Sequence, residues 1–169
     1  AGLNGDVRAL AVLPGGDVIV GGSFTLAGGM PANRIARYNP STNTWSALGL
    51  GTSDTVIALA VLPGGDVIVG GIITLAGGMP ANRIARYNPS TNTWSALGAG
   101  LNGDVRALAV LPGGDVIAGG NFTLAGGRAA NRIARYNPST STWSALGSGT
   151  NSGVNALAVL PGGDVIAGG

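Results

Sequence analysis

The chain has 169 residues; 32 are Gly, and 9% are charged, against a usual charged share of roughly 25%. Its nine cations are all Arg and its seven anions all Asp, a net charge of +2, and Lys, Glu, His and Cys are absent. These absences exclude imidazole and thiolate catalysis, a Schiff-base lysine, disulfides and His or Cys metal sites, and the near balance of Arg and Asp argues against a basic nucleic-acid-binding face.

The first predicted element is a strand from Val7 to Leu13, apolar apart from Arg8. Pro14-Gly15-Gly16-Asp17 then closes a hairpin onto a second strand, Val18 to Phe24. Two central glycines suit a two-residue type I′ turn, which sets Leu13 opposite Val18 and Leu10 opposite Gly21. A third strand runs from Asn33 to Tyr38 and a fourth from Thr44 to Leu48, joined by Asn39-Pro40-Ser41-Thr42-Asn43. Symmetry of that second hairpin places Tyr38 opposite Trp45 and Ile35 opposite Leu48, each pair on its own face of the sheet. No segment has the length and periodicity of a helix, and no apolar run approaches the 18 or so residues of a membrane span, so no membrane insertion is expected. No leader pattern is read at Ala1.

This pattern repeats. Trp45, Trp94 and Trp143 are 49 residues apart, and so are Leu13, Leu62, Leu111 and Leu160 at the head of each Leu-Pro-Gly-Gly-Asp turn. The first two units differ at eight of 49 positions, which fits recent duplication or an engineered repeat. The units read as blade 1 (1–49), blade 2 (50–98), blade 3 (99–147) and a half blade (148–169) holding only the first two strands. A four-stranded sheet apolar on both faces needs another sheet on each side, and units in radial array provide that. The expected class is therefore all-β, a β-propeller of four-stranded antiparallel blades, three and a half of them in this chain. The small Ala9, Ala11, Ala58 and Ala60 suit an innermost strand near the axis, and Gly21-Gly22 suit close approach of a neighbouring blade's ring.

Apolar residues ending in a double Gly, then Tyr, then Trp seven positions on, resemble the Kelch repeat. The matching residues are Gly21, Gly22, Tyr38 and Trp45; Gly70, Gly71, Tyr87 and Trp94; and Gly119, Gly120, Tyr136 and Trp143. The segment from Gly22 to Ala36 is similar to Kelch-like repeats of large secreted bacterial proteins and fungal cell-surface polarity markers, which implies an extracellular setting. Galactose oxidase shares the Kelch architecture, but its copper site needs His and Cys, so no such activity and no cofactor is implied here.

Differences between units gather in the loops entering the first strand and joining the second to the third. These share one face of the disc. The candidate binding face comprises Arg8, Ile57, Arg106 and Asn155; Ser23, Ile72 and Asn121; and Met30, Met79 and Arg128. The bland alternative is loop drift around turns that must keep their geometry. On the third strand, Arg34 and Arg37, with Arg83, Arg86, Arg132 and Arg135, point to opposite faces. One of each pair is expected to bridge blades, with Asp17, Asp66 or Asp115 as its partner. A lone Asp per turn is too sparse for calcium, and the acceptor sequence Asn121-Phe122-Thr123 occurs once.

The functional expectation is a non-catalytic structural or protein-interaction scaffold. The chain is read as a window on a longer array, or as a fragment that associates with copies of itself. An extracellular carbohydrate-binding or adhesion module is the first alternative, and an engineered repeat with no evolved ligand the second. Expected partners are a second copy or the rest of a longer propeller, and a protein or glycan ligand, but no nucleic acid.

Overall fold

The computed structural model describes residues 2–169 and is all β among them. Blade 1 holds β1 (Val7–Val12), β2 (Val18–Gly22), β3 (Leu26–Ala27), β4 (Met30–Pro31), β5 (Ile35–Asn39) and β6 (Thr44–Ala47). Blade 2 repeats them as β7 (Val56–Val61), β8 (Val67–Gly71), β9 (Leu75–Ala76), β10 (Met79–Pro80), β11 (Ile84–Asn88) and β12 (Thr93–Ala96). Blade 3 has β13 (Val105–Val110), β14 (Val116–Gly120), β15 (Leu124–Ala125), β16 (Arg128–Ala129), β17 (Ile133–Asn137) and β18 (Thr142–Ala145); β19 (Ala156–Val159) and β20 (Val165–Gly168) form the half blade. Each full blade is an antiparallel meander, β1-β2-β5-β6 in the first, and β3 and β4 form a separate small hairpin in the loop between β2 and β5.

The hairpin β5–β6 has the expected register, with Tyr38 opposite Trp45 and ring centroids 4.9 Å apart. Between β1 and β2 the register differs by one residue from the sequence reading: Val12 faces Val18 and Leu10 faces Val20. The cause is Pro14. A two-residue turn on Gly15-Gly16 would put Pro14 at a ladder position whose N–H it lacks. Instead Leu13 N donates to Asp17 O at 2.8 Å and Gly16 N to Leu13 O at 2.8 Å, and only Gly16 takes positive φ, at 89°. This is a three-residue loop with Pro14 opening a type I turn. The two-residue turn with both glycines at positive φ lies further on, at Gly28 (60°) and Gly29 (86°), where it closes β3 onto β4. At the far end of β1, Val7 pairs with Gly22 but Ala9 with Gly21, so Arg8 is the extra residue of a β-bulge.

The core lies between blades. Leu13, Ile19, Ile35 and Leu48 on one face of blade 1 pack with Val56, Val67, Val69, Tyr87 and Trp94 of blade 2. Leu62, Ile68, Ile84 and Leu97 of blade 2 meet the same positions of blade 3 in the same way. Each indole N–H crosses the joint: Trp94 Nε1 donates to Leu48 O at 3.0 Å, and Trp143 Nε1 to Leu97 O at 2.9 Å. The first glycine of each pair does permit a close approach, but by the next blade's valine rather than a ring. A Cβ on Gly70 would sit 2.5 Å from Val105 Cγ1, and one on Gly119 2.5 Å from Val154 Cγ1. The rings pack elsewhere. Trp45 lies under Gly28 of its own blade, 2.6 Å from where a Cβ would stand.

Candidate functional site

Three surfaces could carry function: the face with the varied loops, the opposite face with the turns, and the two open blade faces.

On the varied face, the ten candidate residues do not form one patch. Arg8, Ile57 and Arg106 occupy the bulge positions of the innermost strands, and Arg106 Nη1 donates to Asn155 Oδ1 of the next unit at 2.9 Å. Ser23, Ile72 and Asn121 sit beside them, their N–H groups donating to Asp6, Thr55 and Asp104 O. Met30, Met79 and Arg128 are exposed on the small hairpins, which pack against the outermost strands. The structure thus brings the first two groups together near the axis and leaves the third at the rim.

Among the arginines the two properties expected of one residue, an Asp partner and a contact between blades, fall to different residues. Arg37 Nε donates to Asp17 Oδ2 at 2.5 Å, and Arg135 Nε to Asp115 Oδ2 at 2.5 Å, within one blade and not between blades. Arg86 reaches the same oxygen of Asp66 with Nε and Nη2, so the pair is not a two-oxygen fork. Register explains this: Arg37 pairs with Ile19 on the adjacent strand, one step diagonally from Asp17. The bridging arginine is the other one. Arg34, Arg83 and Arg132 enter the third strand at positive φ, 62°, 66° and 63°. Arg34 Nη1 donates to Thr52 O at 3.5 Å and Arg132 Nη1 to Thr150 O at 3.3 Å, both in the following unit. Arg83 instead bonds Ile72 and Ile73 O and lies 3.7 Å from Asp104 of blade 3.

On the turn face, a cleft of about 380 Å³ separates blades 1 and 2 and one of about 410 Å³ separates blades 2 and 3. The first is floored by Asp17 and Arg37 and walled by Pro14, Gly64 and Pro89. Sequence reasoning missed both, because their residues are invariant between units and read as turn geometry. Burial pushes the Tyr87 phenol above its usual pKa, and the positive charge of Arg37 across the joint offsets part of that. Asp66 is 7% exposed, and the Arg86 side chain is 40% exposed. Arg86→Met is expected to cost about 2 kcal/mol in chemical denaturation, less than for a fully buried pair because water reaches the guanidinium. No loss of stability would remove the ion pair from the account of the blade.

The open faces are the third surface. On blade 1, Val7, Leu10 and Val12 are exposed where their equivalents Val56, Leu59 and Val61 pack against a preceding blade, and Trp45 is only partly buried. On the half blade, Leu160 and Ile166 are exposed where Leu62 and Ile68 are buried.

Comparison with known proteins agrees with this architecture. The family model described as the Rax2 C-terminal beta propeller domain matches residues 48–166. A second, DUF5122, a beta-propeller domain of unknown function, matches residues 14–41. No curated protein matches. Among solved structures, the extracellular domain of a one-component system of B. thetaiotaomicron is 16% identical, with a TM-score of 0.65 over 96% of this chain. A chain of the Mitotic Checkpoint Complex is 14% identical, with a TM-score of 0.64 over 96% of this chain. The chain spans 20% of the first and 46% of the second. At such identities the likeness is one of fold.

Proposed function

We propose, for a chain that belongs to the Rax2 C-terminal β-propeller family, that it is a non-catalytic, extracellular scaffold that joins to further blades of its own kind. The observation that carries this reading is the pair of open faces. Blade 1 presents Val7, Leu10, Val12 and Trp45, and the half blade presents Leu160 and Ile166. Leu160 and Ile166 correspond to Leu62 and Ile68, two of the four residues (with Ile84 and Leu97) that blade 2 brings to its joint with blade 3, and the blade 1 residues correspond to the other side of that joint. Apolar faces of this kind are association surfaces in water. Head-to-tail contact between two copies places Leu160 and Ile166 of one chain on Leu10 and Val12 of the other, as Leu13 and Ile19 sit on Leu59 and Val61.

Supports for the remaining parts are of different kinds. The Gly-Gly, Tyr and Trp positions, with the Tyr–Trp pair in contact in all three blades, favour the Kelch type of blade. The extracellular setting is favoured by the B. thetaiotaomicron neighbour, itself an extracellular domain. The non-catalytic reading rests on the lack of His, Cys, Lys and Glu.

Two variants test the joint. Leu10→Asp spoils one face and Ile166→Asp the other, and each alone is expected to be a monomer. Mixed, they retain one intact pair of faces and are expected to form a heterodimer that grows no further. Association that survives either substitution would contradict the head-to-tail joint. Failure of the mixture to pair would point to a contact between like faces instead.

A further inference from the structure

On the face with the varied loops, a cleft of about 390 Å³ opens between blades 2 and 3. That volume lies within the range of small-molecule sites, roughly 300–1,000 Å³. Its walls include Thr74, Asn82 and Arg83 of blade 2 and Ala99, Leu101 and Leu124 of blade 3.

One position controls the mouth. In the loop entering blade 2, the counterpart of Ala99 is Leu50, whose Cδ1 reaches the turn of the small hairpin, 3.1 Å from where a Cβ on Gly78 would stand. In blade 3 the counterpart of Gly78 is Gly127, and nothing lies within 4 Å of its Cβ position. Leu50 therefore bridges loop and hairpin at the first joint, and Ala99 stops short at the second. The same loops also differ at Thr52 against Leu101, Ser53 against Asn102 and Thr55 against Asp104, whereas Asn33 and Asn82, Arg34 and Arg83, and Leu75 and Leu124 match.

The polar groups are balanced. Asn82 Nδ2 donates to Ala99 O at 3.0 Å, which holds the amide in place with Oδ1 as an acceptor. Arg83 spends Nη1 on two backbone carbonyls, and its Nε is buried with no hydrogen-bond partner. The carboxylate of Asp104, 3.7 Å from that Nε, offsets the charge of Arg83. Asp104 lies beside Arg83 and outside the cleft wall, and its charge weakens the pull of Arg83 on an anion. Leu124 adds a partly exposed apolar wall. A hydroxyl both donates and accepts, and a pyranose ring adds an apolar C–H face, so a sugar matches donor, acceptor and wall together.

We propose that this cleft binds a neutral pyranose unit, with Leu124 against the ring and the polar side chains of Asn82, Thr74 and Asn102 on its hydroxyls. The site is independent of the end-to-end joint, because both of its walls belong to complete blades.

The test is an amide-resolved NMR titration of the full chain with methyl glucoside, methyl mannoside, methyl N-acetylglucosaminide and methyl glucuronide. Saturable shifts are expected at Gly100, Leu101 and Gly127 with at least one neutral glycoside. Ala99→Leu, which installs the residue that the chain already carries at position 50, is expected to weaken binding roughly tenfold or more with an unchanged melting curve. Leu50→Ala is expected to add saturable shifts at Gly51, Thr52 and Gly78. Three results would overturn the proposal: no shifts with any neutral glycoside, shifts that persist in Ala99→Leu, or a response confined to the glucuronide.

Discussion

Gly70→Ala is expected to destabilise the chain by about 3 kcal/mol, the upper part of the range for overpacking a close-packed core. Its Cβ would stand 2.5 Å from Val105 Cγ1, 3.0 Å from Val105 Cβ and 3.2 Å from Leu108 Cδ1. Val105 is fully buried on the innermost strand of the next blade and cannot turn away without opening the joint. The cost therefore belongs to contact between blades and not to the strand that holds Gly70. A double-mutant cycle separates the two. Paired with Val105→Ala, which removes the clashing methyls, the same substitution should recover most of its loss. Equal costs in both backgrounds, measured by urea unfolding, would mean that the blades do not meet at Gly70.

The second large effect comes from one residue type at one position of the repeat. Ile68 is 0% exposed and Ile166 is 56% exposed, although both follow the Val of the same Leu-Pro-Gly-Gly-Asp-Val sequence. Ile68→Ala removes side-chain volume from the joint between blades 2 and 3, and a loss of about 2–5 kcal/mol is expected. Ile166→Ala deletes the same atoms from a face that water already reaches, so well under about 1 kcal/mol is expected for the monomer. At concentrations where chains associate, Ile166→Ala should instead weaken association. Comparable losses of monomer stability at the two positions would mean that the half-blade face is not open.

The parts legible in the sequence were those set by residue spacing. The 49-residue period, the four strands of each unit and the facing of Tyr38 and Trp45 all follow from positions that admit one arrangement. The split of Ile35 and Leu48 from Tyr38 and Trp45 between two faces follows from strand alternation. Less legible was anything decided by a single backbone dihedral. Pro14 moved the first hairpin by one residue, and the paired positive-φ glycines closed the small hairpin at Gly28-Gly29. Strands of two residues, such as Leu26–Ala27 and Met30–Pro31, are too short for an alternating pattern to announce them.

The arginines show a different limit. An Asp partner was expected for one arginine of each pair, and Asp17 does bind Arg37, but within one blade, because the two strands are neighbours in one sheet. The positive φ of Arg34, Arg83 and Arg132 carries no composition cue, and it is what turns those side chains toward the following unit or the joint. The cleft beside Ala99 had a cue in the sequence, Leu50 against Ala99 and Ser148, but its meaning depends on Gly78 and Gly127, far along the chain.

On the proposed reading the two open faces are the two halves of one joint. Light scattering across a concentration series, with the unmodified chain beside Leu10→Asp, tests it most directly. The unmodified chain is expected at a mass of two chains or more that falls on dilution toward 16.4 kDa, and the variant at 16.4 kDa throughout. A chain that holds at 16.4 kDa up to high concentration, with both faces in water, would contradict it.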